Sequence, residues 1–210
     1  NWAPDAANSE FAGKSIVALG LPASVGASSH ATTVAKNFYG NGTSISPSIS
    51  DIGAHSASTW LFQHLVPAGK DPGERRAIPL ETNRRIANHS WVGGGINDSS
   101  GNFSPTGTST FLRLADWVSD VDELIQIYGI QNNATDNPFF ATALNGIVAG
   151  VTDATHADGV IALDSIYVAG RPSIHVVTPM SYTSDSAGIV SSAIALLIEA
   201  AQQNPSWSDA

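Results

Sequence analysis

The chain has 210 residues, of which 42% are apolar and only 13% charged, enough apolar surface for a substantial core and too much for a disordered polymer. Nine Lys and Arg stand against 18 Asp and Glu, a net charge of -9, so there is no basic face for a phosphate backbone and nucleic acid is not an expected partner. Without cysteine there are neither disulfides nor thiolate metal sites, and no uninterrupted apolar run reaches the roughly 18 residues of a membrane span.

Residues 1–13, with Pro4 and Gly13, read as an irregular lead-in. Ser15-Ile-Val-Ala-Leu-Gly20 is a short continuous apolar run, the pattern of a fully buried strand. After a loop of small residues, positions 30–39 place Ala31, Val34, Ala35 and Phe38 on one face of a helix that opens with His30 and stops at Gly40 and Gly42. Residues 46–55 predict a second strand and 56–65 a helix, while 67–81, rich in Pro, Gly and charge, predict a solvated loop. A strand over 85–92 runs into Gly93, Gly94 and Gly95. A polar turn through Pro105 then leads to a helix over about 109–124, striped by Phe111, Leu114, Ala115, Val118 and Val121. Residues 125–130 form a strand closed by Gln131-Asn132-Asn133, and 147–152 and 173–178 are two more short buried strands.

Finally, the hydroxyl-rich stretch Ser181-Tyr-Thr-Ser-Asp-Ser186 runs into residues 189–201, apolar or small on every side, which predicts a helix buried all round. Ser184 falls in its first turn, beside the positive end of the helix dipole. The plain alternative is that Thr183, Ser184 and Asp185 only cap the helix. Strands alternating with helices predict an α/β fold, a three-layer, mostly parallel sheet with helices on both faces. One domain over residues 1–210 is expected, of a kind that a larger exported protein could carry. Low Lys and abundant Gly, Ser, Thr and Asn suit a secreted, cell-surface or periplasmic location, with any leader removed. The sequons at Asn41, Asn88, Asn97, Asn102 and Asn133 are what chance supplies in such a composition.

Acyl transfer by serine needs a base within reach of the hydroxyl and a donor for the oxyanion, and open α/β sheets gather such groups at the carboxyl ends of their strands. His30, Asn132 with Asn133, and Ser184 all occur at helix starts or strand ends. The order of the segments around them resembles the subtilisin-like serine peptidases. Ser29-His-Ala-Thr-Thr-Val-Ala35 is similar to the family's H-G-T-H-V-A segment, and Ser46-Pro-Ser-Ile-Ser-Asp-Ile-Gly-Ala54 to the A-P-x-A strand after it. Arg85-Ile-Ala-Asn-His-Ser-Trp-Val-Gly-Gly94 resembles N-x-S-x-G-G, and Asn145-Gly-Ile-Val-Ala-Gly-Val-Thr-Asp153 resembles N-V-I-x-V-G-A-x-D. Arg171-Pro-Ser-Ile-His-Val-Val-Thr-Pro179 resembles K-P-D-I-x-A-P, and Tyr182-Thr-Ser-Asp-Ser-Ala-Gly-Ile-Val190 resembles G-T-S-M-A-A-P-H-V.

The resemblance implies Ser184 as nucleophile, His30 as its base and Asn132 as oxyanion donor, with Asn133 the fallback if the alignment shifts by one. Ser90, Trp91, Val92 and Gly93 would form a strand edge for an extended polypeptide substrate. The family's aspartate is not found after the first strand, since no Asp or Glu occurs between Phe11 and Gly40. Asp5 or Glu10 could replace it, or the site runs as a Ser–His dyad. Tyr182 and Gly188 stand where the family has glycine and proline. The expected activity is serine endopeptidase, the alternatives being a pseudoenzyme that keeps a peptide-binding or structural role and an esterase. His55, His64, His89, His156 and His175 show no paired spacing for zinc. Asp153, Asp158 and Asp164 could hold the structural calcium that many family members carry, although solvated turn acids are the plainer reading, and no cofactor is expected.

Overall fold

The computed structural model describes residues 3–20, 26–65, 84–91, 93, 95–133, 139–153, 156 and 174–207. All of the strands described are parallel. β1 (Ser15–Leu19) pairs with β2 (Asp51–His55), while β3 (Ile86–His89), β4 (Ile125–Gly129), β5 (Gly146–Val151) and β6 (Val176–Thr178) lie side by side in chain order. The helices are α1 (Ser29–Tyr39), the short turn α2 (Ala57–Thr59), which widens into a π-helical stretch at Trp60–Leu65, α3 (Pro105–Val121) and α4 (Thr183–Gln203).

The pleat of the strands creates the layers, because successive side chains point to opposite faces. Tyr128 and Val148 pack with Leu112, Ala115 and Val118 of α3. Their neighbours Ile127 and Ala149 pack with Ala187 and Val190 of α4. The sheet is thus sandwiched between α3 and α4, in a mixed α/β architecture of parallel sheets flanked by helices, as the alternation predicts. α1 lies against α4, and through Ala35 and Tyr39 it covers Ile52 of β2 and Phe11. The lead-in is therefore anchored, with Phe11 only 2% exposed at the end of a 3-10 turn, Ser9–Phe11.

Several expectations change. β1 is not fully buried: Val17 is 43% exposed, and among the described residues β1 is an edge strand, paired only with β2. β2 begins at Asp51 rather than residue 46, since Ser46 is held by Ser192, its amide donating to Oγ at 3.0 Å and its hydroxyl to the carbonyl at 2.7 Å. β3 ends at His89, before Ser90 and Trp91. α3 starts at Pro105, which occupies a first-turn position where no amide hydrogen is needed, with Ser104 Oγ accepting from the Gly107 amide at 3.0 Å. The loop over 67–81 and the side chains of His64 and Val121 lie outside what is described.

The largest correction concerns α4. Its hydroxyl-bearing first half is buried, whereas Leu196 and Leu197 in the apolar second half are 48% and 63% exposed. Short hydroxyls let the helix approach the sheet closely and satisfy polar groups there: Ser186 Oγ donates to the Gly150 carbonyl at 2.7 Å, and Ser191 Oγ accepts from the Asn88 side-chain amide, Nδ2, at 2.9 Å. By length and composition alone α4 could also cross a membrane. Its bonds to the sheet are those of a core helix.

His89 sits in the aromatic core, stacked on Tyr128 at 4.9 Å and tilted against Trp60 at 4.3 Å, with Gln126 Oε1 3.2 Å from Nε2. Burial pushes its imidazole down to about 3. The folded chain then holds His89 neutral where the unfolded chain, with a pKa near 6.5, binds a proton. Stability from this group is complete above about pH 6.5 and falls by roughly 1.4 kcal/mol per pH unit towards pH 3. Urea unfolding across that window should show the slope, and His89→Gln should flatten it.

Candidate active site

Three element ends meet at the carboxyl end of the sheet. Ser28 caps α1 by accepting from the Ala31 amide at 3.2 Å, which puts His30 in the first turn. Tyr182 occupies the N-cap of α4 without a side-chain bond, so none of the following hydroxyls is spent on capping. Thr183 instead ties α4 to the end of β4: its Oγ1 donates to the Ile130 carbonyl, and its amide donates to Asn132 Oδ1 at 3.0 Å. Gly129 permits this approach, since a Cβ there would lie 3.1 Å from the Thr183 carbonyl oxygen. The plain capping reading of Ser184 therefore fails.

Ser184 is 5% exposed, and its Oγ donates to the Ser90 carbonyl at 3.2 Å. His30 Nε2 lies 2.9 Å from the same oxygen. Both side chains thus converge on one atom just beyond β3. A carbonyl can only accept, so Nε2 carries the proton in this arrangement and a neutral ring leaves its lone pair on Nδ1. The Ser90 hydroxyl reinforces the junction, its Oγ donating to Asn88 Oδ1 at 2.5 Å and lying 3.0 Å from the Ser184 carbonyl oxygen.

Asn132 is oriented by chemistry, because an amide N–H can donate only to its oxygen. Oδ1 takes the Thr183 amide at 3.0 Å, with the Thr183 hydroxyl oxygen, whose proton goes to Ile130, also 3.0 Å away, and Nδ2 makes no hydrogen bond among the described residues. Asn133 lies exposed on the neighbouring turn. Glu10 is not beside His30: its carboxylate accepts from the Gly42 amide at 2.7 Å, at the opposite end of α1. Asp5 does reach the start of α1, its amide donating to Thr32 Oγ1 at 2.8 Å, but its carboxylate takes the Ala7 amide at 3.1 Å. No carboxylate is hydrogen-bonded to His30 among the described residues.

Sequence reasoning missed Asp185. It follows Ser184 and takes a bond from Asn37 Nδ2 of α1 at 3.2 Å. Burial pushes its carboxyl up, while the nearby His30 charge and the Asn37 bond pull it back. An acid in the first turn of a helix reads in a sequence as a partner of the helix dipole, and only the α1–α4 contact sets this one near His30. Trp91 turns into the core, 5.5 Å from Phe140 edge-to-face, Gly93 is half-buried, and Val92 lies outside the described residues. Among the described residues no cluster of three or more His, Asp or Glu could hold a metal ion, and of the acids considered for calcium only Asp153 is described.

No family model matches the chain, and no curated protein matches it. Among solved structures it is similar to a serine-to-alanine mutant of the protease domain of PatA, with a TM-score of 0.60 and 15% identity over 97% of this chain and 78% of that one. At that identity the likeness establishes the fold, a three-layer arrangement of parallel sheet and flanking helices.

Proposed function

We propose that the chain is a serine-type peptidase of the subtilisin-like kind, acting on extended polypeptide through an acyl-enzyme on Ser184. The observation that carries this is the convergence of Ser184 Oγ and His30 Nε2 on the Ser90 carbonyl at the positive end of α4. Likeness to a protease domain supports it at the level of fold. Ser184 would attack the scissile carbonyl as His30 Nε2 takes its proton and later returns it to the leaving amine. Asn132 Nδ2 and the Ser184 amide, neither hydrogen-bonded among the described residues, would receive the developing oxyanion. Ser90 and Gly93 would border the bound strand.

A specific observation favours a second reading, an impaired enzyme that binds peptide. With Nε2 donating to Ser90, His30 holds the tautomer that cannot accept the Ser184 proton, and loss of the orienting acid costs about 10⁴ in turnover in a related serine peptidase. A fluorophosphonate probe separates the two. Labelling at Ser184 is expected, slowed about 10²–10³-fold by Asn132→Ala if that amide serves the oxyanion. Folded protein that neither labels nor cleaves denatured substrates would leave the binding reading in place.

A further inference from the structure

A backbone carbonyl has two lone pairs, and both of those on Ser90 are engaged, one by the Ser184 hydroxyl at 3.2 Å and the other by His30 Nε2 at 2.9 Å. The oxygen itself is firmly mounted. Ser90 Oγ donates to Asn88 Oδ1 at 2.5 Å and lies 3.0 Å from the Ser184 carbonyl oxygen, while Asn88 Nδ2 donates to Ser191 Oγ of α4 at 2.9 Å. The two side chains it holds differ in freedom, since His30 is exposed in the first turn of α1 and Ser184 is 5% exposed. In this arrangement the Ser184 proton goes to a group that cannot remove it, and His30 carries its own proton on the nitrogen that a base at Ser184 needs empty. Chemistry at Ser184 therefore requires another donor to take the Ser90 oxygen.

We propose that the Ser90 carbonyl is a latch that holds Ser184 and His30 at rest, and that the substrate's own backbone N–H releases it. An extended chain bordering Ser90 brings such a donor, because the N–H nearest an attacked carbonyl carbon belongs to the same residue, two covalent bonds away, and the Ser90 oxygen lies 3.2 Å from the attacking Oγ. Hydrogen bonds of similar net worth are exchanged, and the exposed ring finds water as its new partner. Once free, the ring releases its Nε2 proton to water and takes one up at Nδ1, so that the Nε2 lone pair accepts the Ser184 hydroxyl proton. The tautomer that argues for an impaired enzyme is then the resting state of a working one. The latch also names a substrate class: polypeptides and N-acylamino-acid esters release it, whereas plain esters, and chains with Pro at the attacked residue, lack the N–H that does so. Its use in catalysis rests on the peptidase reading, and the position of the His30 proton does not.

Nitrogen-15 NMR of the chain should place the neutral His30 proton on Nε2. A ketomethylene analogue of acetyl-Ala-Ala-Leu-Gly, which cannot be cleaved, should move that proton to Nδ1, and the same analogue built with N-methylleucine should not. Diphenyl phosphonates of acetyl-Ala-Ala-Leu and of its N-methylleucine counterpart should inactivate Ser184 with a maximal rate about tenfold or more lower for the methylated one, the worth of one hydrogen bond in the transition state. A difference confined to the half-saturating concentration marks an ordinary binding contact and overturns the latch. So does a proton that begins on Nδ1, or one that stays on Nε2 with the unmethylated analogue. Equal maximal rates, alongside labelling of Ser184 by a fluorophosphonate, overturn the latch and leave the peptidase reading standing. Proton transfer without labelling by any probe leaves the latch standing and overturns that reading.

Discussion

Ser184→Ala should abolish fluorophosphonate labelling and reduce peptide turnover to background while leaving the chain folded. The Ser184 hydroxyl is the nucleophile that the proposed mechanism uses, and in a subtilisin removal of the nucleophilic serine costs about 2 × 10⁶ in kcat. The structural cost is small. Ala removes one hydrogen bond, from Oγ to the Ser90 carbonyl, worth about 1 kcal/mol, and that carbonyl keeps its contact with His30 Nε2. The lever arms are otherwise untouched, since Thr183 still binds Ile130 and Asn132, and Ser186 still binds Gly150. A thermal unfolding midpoint close to that of the parent, together with lost labelling, is the expected pair of results. Labelling that persists in Ser184→Ala would place the nucleophile elsewhere and sink the peptidase mechanism as assigned.

Gly188→Ala should impair both stability and activity. A Cβ at 188 would lie 2.9 Å from the Val34 carbonyl oxygen and 3.0 Å from Asn37 Cβ, one of them backbone, so no rotamer relieves the clash. Overpacking of this kind costs about 1–3 kcal/mol. The helices must part, and α1 carries His30 in its first turn. Misplacing a catalytic group by about 1 Å can cost around 10² in rate. A lower denaturation midpoint with at least a tenfold slower labelling rate should result. Asn37→Ala should not rescue it, because Ala keeps the Cβ and the Val34 carbonyl is unchanged. A fully active, fully stable Gly188→Ala would show that the α1–α4 approach does not set the site.

Much of the fold was legible because period and punctuation report directly on burial. α1 appears where Val34 and Ala35 recur at helical spacing and Gly40 ends the pattern, and α3 where Phe111, Leu114, Ala115 and Val118 do. The start of α3 was read late because Pro105 looks like a breaker when it is in fact a favoured opener. The burial of α4 runs opposite to its apolarity, because apolarity measures what a helix can bury, whereas its first-half serines bond Gly150, Asn88 and Ser46 on the inside.

The sequence by itself determined the alternation of strands and helices, the order of the His30, Asn132 and Ser184 segments, and the lack of an acid near His30 along the chain, since local periodicity and residue identity carry that information. Only the tertiary structure decided that Ser184 and His30 share the Ser90 carbonyl, that Glu10 is spent at the far end of α1, that Asp185 lies near His30, and that residues of β2 and β3 line one cavity. Those facts depend on which strand edges and helix faces meet across long chain separations. Such meetings are set by backbone hydrogen bonding and close packing at positions such as Gly129 and Gly188.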